Sequence, residues 1–150
     1  MIRVISMRHQ HGIGMIEVLI AVLVVSIGFL GMAALQARAL STNNSAMARS
    51  MATIASYSIL DAMRADIINA KNGGYNTTFT ANNCPDGSGS LAASQLNAWC
   101  SQLGQALGAI DSTTGTINCS AVGNCTITIQ FDDSRVGGSN AQKVVTEAGL

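Results

Sequence analysis

Residues 11–31 read HGIGMIEVLIAVLVVSIGFLG. The stretch is apolar apart from one carboxylate, Glu17, five residues after Gly12, and no further charge occurs until Arg38. From Val18 to Leu35, at 1.5 Å per residue, the run makes a helix of about 30 Å, enough to cross the hydrocarbon core of a bilayer. A carboxylate in such a segment costs about 3 kcal/mol on insertion scales, so an acid placed there is read as functional. Glu17 is therefore the residue on which the reading of the chain turns.

The flanks give the run a direction. Arg3 and Arg8 precede it, whereas the chain from Ile13 onward carries six basic and eight acidic residues, a net charge of −2. By the positive-inside rule the short N-terminal piece stays in the cytoplasm and the remainder crosses. Over all 150 residues the basic and acidic side chains balance at eight each, which argues against a basic nucleic-acid footprint. Once the membrane run is set aside, little sequence remains for a globular core, so the expected soluble part is small and in need of covalent staples. A secretory signal has a similar basic start, and Ala37-Arg38-Ala39 resembles its cleavage site. Its apolar region, however, is expected to be only about 7–15 residues long and free of acids. A plain single-pass anchor fits the length and leaves Glu17 without a role.

Gly12-Ile13-Gly14-Met15-Ile16-Glu17-Val18-Leu19-Ile20-Ala21 resembles the type IV prepilin signal, a glycine followed by four mostly apolar residues, a glutamate and the hydrophobic stem. The resemblance implies that a membrane-embedded prepilin peptidase and N-methyltransferase cuts between Gly12 and Ile13 and methylates Ile13. Residues 1–12 would then be a cytoplasmic leader, and Glu17 the fifth residue of the mature chain. Physical chemistry supplies a reason for the spacing. Cleavage creates an ammonium on Ile13, and Glu17 lies one helical turn on, where it also meets the positive end of the helix dipole. In the family's filament this glutamate is thought to pair with the amino terminus of a neighbouring subunit. Ile13 stands where phenylalanine or methionine is commoner, and the family's frequent stem proline is missing, since Pro85 is the sole proline. Gly28 and Gly31 are the softest stem positions, sites either of local melting or of close helix approach.

Helical character continues beyond the stem. No proline or glycine occurs from Leu35 to Ala70, and Met47, Met51, Ile54, Leu60, Met63 and Ile67 recur at helical spacing. One helix over Ile13 to Ala70, about 85 Å long, is expected, with 13–36 in the membrane and 37–70 laying an apolar stripe on a head domain of residues 71–150. Arg38, Arg49, Asp61, Arg64 and Asp66 are expected on its wet side, and the methionines are read as core filler. Ser41-Thr42-Asn43-Asn44-Ser45 interrupts the stripe without ending the helix. Asn72-Gly73-Gly74 ends it, and the Asn-, Thr-, Gly- and Ser-rich stretch up to Ser90 reads as a loop.

Leu96, Trp99, Leu103 and Leu107 predict a short helix with Trp99 turned inward. Alternation over residues 126–131 places Ile127, Ile129 and Phe131 on one face of a strand. Residues 116–118 pair with it as a hairpin, and 143–146 form a third strand after a connection over 132–140. The expected fold class is thus α+β, pilin-like: a long N-terminal helix packed on a small antiparallel sheet.

Cys84, Cys100, Cys119 and Cys125 all follow the membrane run and contain no C-x-x-C pair, so zinc is not expected. Four cysteines allow three pairings; Cys119 with Cys125 across the hairpin and Cys84 with Cys100 is the favoured set, and free thiols packed as small hydrophobes are the alternative. Both histidines, His9 and His11, lie in the leader, which leaves no imidazole for a catalytic triad. Asp132-Asp133 reads as a strand-end turn, because neighbouring strand residues point to opposite faces. No phosphate loop or dinucleotide fingerprint is present. Asn76-Thr77-Thr78 matches a glycosylation acceptor, a match of little weight because the prepilin resemblance implies a bacterium. No enzyme activity and no cofactor are expected.

Within the prepilin class, Gly28-Phe29-Leu30-Gly31-Met32-Ala33-Ala34-Leu35-Gln36, Ile59-Leu60-Asp61-Ala62-Met63-Arg64-Ala65-Asp66 and the block from Cys125 to Arg135 are similar to minor pilins of the PilV type. That resemblance implies a low-abundance subunit that joins other minor pilins, the major pilin and the inner-membrane assembly platform. It would be held by membrane lipid beforehand, without direct contact to nucleic acid, and would support twitching motility and adhesion from the pilus tip. The rival within the class is the pseudopilin of a type II secretion machine. A secreted protein cut near Ala39 is the rival outside it.

Overall fold

The computed structural model describes residues 14–150. Its elements run, in chain order, α1 (Met15–Ala65), α2 (Ile67–Lys71), β1 (Thr77–Thr80), α3 (Leu91–Leu107), β2 (Thr114–Cys119), β3 (Asn124–Phe131) and β4 (Gln142–Gly149), with a single 3-10 turn at Ser134–Val136. The chain separates into two compact units, Met1–Ala39 and Leu40–Leu150. The second holds the whole sheet, a four-stranded antiparallel meander in the order β1-β2-β3-β4. This is the α+β arrangement expected of a pilin-like chain: a long N-terminal helix and a small antiparallel sheet with two disulfides.

The helix is continuous through Ser41–Ser45 and breaks only at Asp66. There the backbone leaves helical geometry (φ −123°, ψ 48°), and the Asp66 carboxylate accepts hydrogen bonds from Asn69 Nδ2 and from the Tyr75 hydroxyl, each at 3.2 Å. These side-chain bonds tie the residue at the break to α2 and to Tyr75, while Asp66 N–H is shared between Ala62 O and Met63 O, each at 3.2 Å. The expected single helix to Ala70 is therefore two. α2 gives way at Asn72, and Gly73 takes the left-handed backbone (φ 81°) that other residues resist.

The face that α1 turns to the core matches expectation at Leu60 and Met63 and differs from it before them. Met47, Met51 and Ile54 are exposed, Met47 by 59%, and the buried residues are Ala52, Ala55, Ser56, Ile59, Leu60 and Met63. The small residues are selected by closeness. Trp99 of α3 is buried and its indole Nε1 donates to the carbonyl of Ala55 at 3.0 Å, an approach a larger side chain would obstruct. Of these methionines only Met63 acts as core filler.

Trp99 also meets Phe79 edge to face, ring centroids 5.2 Å apart. Phe79 belongs to β1, a strand inside the stretch that reads as loop; it forms because Thr77–Thr80 pairs residue for residue with Thr114–Ile117. Directly opposite Phe79 in the ladder is Gly115, where a Cβ would lie 2.7 Å from the Phe79 ring and 3.0 Å from that of Trp99. The glycine makes room for the aromatic pair. β2 and β3 form the expected hairpin, with Ile117 opposite Ile127 and Cys119 opposite Cys125, and Ile127, Ile129 and Phe131 are buried. Asn76 steadies its turn end, taking Cys119 N–H on Oδ1 at 2.7 Å and giving Nδ2 to Cys119 O at 3.1 Å.

Disulfides join Cys119 to Cys125 and Cys84 to Cys100, and among the described residues no cysteine is free. The second bridge closes a loop across a separation of 16 residues. Replacing both Cys84 and Cys100 by alanine is expected to lower the unfolding free energy by about 3 kcal/mol, the loop-closure value for that length. Urea titration of the full chain in detergent measures it, and a loss under about 1 kcal/mol would contradict a stapling role.

The Tyr75 hydroxyl, buried between Asp66 and the Gln95 side chain, has its pKa pushed up from 10.0 to about 12, first by burial and then by the Asp66 charge and hydrogen bond. A raised pKa means that the fold favours the protonated phenol. The contribution is fully present below pH 10.0 and is lost as pH rises through about 12. The unfolding midpoint is expected to fall across that window in the wild type and to fall less in Tyr75→Phe; equal slopes would refute the assignment.

Candidate assembly site

Gly14 provides the carbonyl that accepts Glu17 N–H at 2.9 Å and Val18 N–H at 3.4 Å, so the helical ladder opens at the glycine and Glu17 sits in the first turn. Four N–H groups at a helix start lack partners within the helix, and their partial positive charge favours an anion there. The Glu17 side chain is exposed. Behind it the apolar side chains face outward on every side: Ile16 is 71% exposed, Leu23 60% and Leu30 72%. The most apolar 18-residue window has a mean hydropathy of 2.8, and none of it is buried within the chain. Ser26, the one hydroxyl in this run, donates to Val22 O at 2.7 Å and so needs no outside partner. The helix is unbroken across Gly28 and Gly31, and a Cβ at either would meet nothing within 4 Å. The chain's own packing thus gives no reason for these glycines, whereas close approach of another helix would.

Gly12 and Ile13, the expected cleavage and methylation positions, lie outside the described residues, as do the leader and both histidines. Among the described residues Glu17 is the one charge of the stem, and the next charged positions along α1 are Arg38 and Arg49. The expected partner of the glutamate is the ammonium that cutting would create on Ile13.

In the unit of residues 40–150, the polar run of α1 has a partner that sequence reasoning missed. Ser41 Oγ donates to Val136 O at 2.7 Å and Ser45 Oγ donates to the Asp133 carboxylate. One turn further on, Arg49 donates to Gln142 Oε1 at 3.1 Å. These positions, four residues apart, make one polar seam that receives the β3–β4 connection. The signal in the sequence was the interruption itself, two serines at helical spacing within an apolar pattern.

Asp132 and Asp133 divide their roles accordingly. Asp132 accepts the Ser134 N–H at 2.8 Å, and hydrogen bonds from the Ser134 side chain and backbone hold its carboxyl below the usual range. Asp133 is buried against Ser45 and packs so closely on Gly138 that a Cβ there would lie 2.4 Å from its Oδ2. The two carboxylates are committed to separate turns. Among the described residues no cluster of histidine, cysteine, aspartate or glutamate is placed to hold a metal. What the geometry offers is an unclothed apolar helix with an acid at its tip, together with a stapled head.

Comparison with known proteins agrees with that class. Residues 7–33 match the prokaryotic N-terminal methylation motif, a segment that contains Gly12, Ile13 and Glu17. No curated protein and no solved structure gives a match. The motif and the fold together support a pilin or pseudopilin, a structural class of membrane-anchored subunits. The motif further implies processing by prepilin peptidase and assembly with other pilins.

Proposed function

We propose that the chain is a minor pilin of the PilV type. In this reading prepilin peptidase removes residues 1–12 as a leader, Ile13 is methylated, and residues 13–36 hold the subunit in the bacterial inner membrane. The amino terminus faces the cytoplasm and the head, residues 71–150, the periplasm, with residues 37–70 of the helix laid on it. The subunit then joins other minor pilins to prime type IV pilus assembly on the inner-membrane platform and is carried to the pilus tip, supporting twitching motility and adhesion. The observation that carries the reading is Glu17, an acid in the first turn of a helix whose apolar surface has no cover among the described residues. Such a surface calls for lipid before assembly and neighbouring helices after it.

The test is N-terminal sequencing, with mass spectrometry, of the protein isolated from membranes. A chain beginning at methylated Ile13 supports the reading. One beginning at Leu40 overturns it in favour of a secreted protein. Deleting the gene separates pilus from secretion machine: loss of surface pili with protein secretion intact is expected, and the reverse outcome identifies a type II secretion pseudopilin.

A further inference from the structure

The β4 edge of the sheet is open. β4 takes β3 on one side and, among the described residues, has no strand on the other. Leu150 N donates to Gly123 O at 2.9 Å, which extends the register Asn124↔Gly149 by one residue. Antiparallel ladders alternate the side to which each residue presents its N–H and C=O. The backbone groups of Gln142, Val144, Thr146 and Ala148 thus face β3, and those of Lys143, Val145, Glu147 and Gly149 face outward. Of these outward groups, only the Lys143 carbonyl has a partner among the described residues, a long 3.4 Å contact from Gln142 Nε2.

Exposed edges are usually blunted by a proline, a bulge or charged side chains, lysine above all, that discourage a second strand; a lysine blunts least where the incoming strand brings an acid opposite it. β4 has neither proline nor bulge over its eight residues. Its two charges are of opposite sign and lie two residues to either side of Val145, which is 55% exposed. That arrangement is self-complementary. When two copies pair antiparallel about Val145, each Lys143 stands opposite Glu147 of the other copy, and Val145 stands opposite itself in a hydrogen-bonded pair. A shift of two residues leaves both charges opposite uncharged side chains. A shift of four sets lysine against lysine or glutamate against glutamate, which is unfavourable.

We infer that β4 is a docking edge for a second copy of this chain, joining two four-stranded sheets into one through Lys143–Glu147 cross-strand pairs centred on Val145. Half-buried Val144 and Ala148, on the face opposite to Lys143 and Glu147, become more enclosed when the sheet is extended. A single edge is a small contact, so the pairing acts between chains held at high local concentration; its chemistry does not depend on whether the leader has been removed.

The experiment mixes isotopically light and heavy full-length chains in detergent and treats them with a carbodiimide, which joins an amine to a carboxylate in contact. Within one chain Lys143 and Glu147 are four strand residues, about 13 Å, apart, so their linkage reports a neighbour. A light–heavy peptide joining Lys143 to Glu147 is expected. Val145→Pro removes an outward N–H and leaves the β3 ladder intact; it is expected to reduce the linkage about tenfold without moving the unfolding midpoint. Lys143→Glu is expected to weaken association about tenfold by sedimentation, and the double variant Lys143→Glu/Glu147→Lys to restore it. Absence of light–heavy linkage overturns the inference. So does a dimer indifferent to the charge reversal, which would be held by the stem, or a dominant linkage from Lys143 to another acid. Each of these failures leaves the minor-pilin reading standing.

Discussion

Glu17→Ala is expected to yield a chain that is cut, methylated and inserted in the membrane but is incorporated into filaments at least about tenfold less than wild type. The glycine before the cut is untouched, and removing a charge makes the stem easier to insert. In the proposed reading, what is lost is the attraction to the amino terminus of a neighbouring subunit at assembly. A carboxylate and an ammonium about 4 Å apart attract by about 4 kcal/mol at an effective dielectric of 20. The ammonium on Ile13 of the same chain competes for the same acid, and only the pair between subunits gives an otherwise uniformly greasy helix a preferred axial position. Quantifying the variant in sheared filaments against its amount in membranes measures the effect. Wild-type incorporation would refute this account of Glu17, and failure of cleavage would show that the acid serves the peptidase instead.

Trp99→Ala is expected to destabilise the head by about 3–5 kcal/mol, the cost of emptying a well-packed aromatic site. The ring is 3% exposed, stands edge-on to Phe79, and reaches α1 through the Ala55 carbonyl. Its loss therefore opens a cavity where α1, α3 and β1 meet. Against a typical domain stability of about 5–15 kcal/mol, this is enough to leave a large unfolded fraction under mild stress. Trp99→Phe retains most of the ring and loses the hydrogen bond, which is worth about 1 kcal/mol. Denaturant titration of both variants checks the ordering, and a small loss for alanine would mean that the surrounding side chains collapse into the space.

Much of this architecture was legible because periodicity survives folding. The stem, α3 with Trp99 inward, and the β2–β3 hairpin all follow from apolar spacing in which large side chains mark the buried face. The same rule held on α1 at Leu60 and Met63, which are buried, and failed one to three turns earlier. There the core side is lined by Ala52, Ala55 and Ser56, and Met47, Met51 and Ile54 point away: the large hydrophobes are not the buried ones where α1 and α3 must come close. β1 was hidden by its setting. Thr77-Thr78-Phe79-Thr80 is a β-branched and aromatic run, but it sits among asparagine, glycine and serine and exists through pairing with residues more than thirty positions away. The break at Asp66 depends likewise on Tyr75 and Asn69, and the seam at Ser41 and Ser45 on a loop 88 to 95 positions distant. Glu17 needed no such partner. Its meaning comes from being a charge where its neighbours allow none, which a sequence displays directly.

The two disulfides have a consequence for biogenesis. Each joins cysteines that follow one another in the chain, the first to the second and the third to the fourth. An oxidant that links thiols in the order in which they emerge on the far side of a membrane therefore makes the native set at the first attempt. In the proposed topology, covalent maturation of the head keeps pace with export and requires no later reshuffling of mispaired bridges.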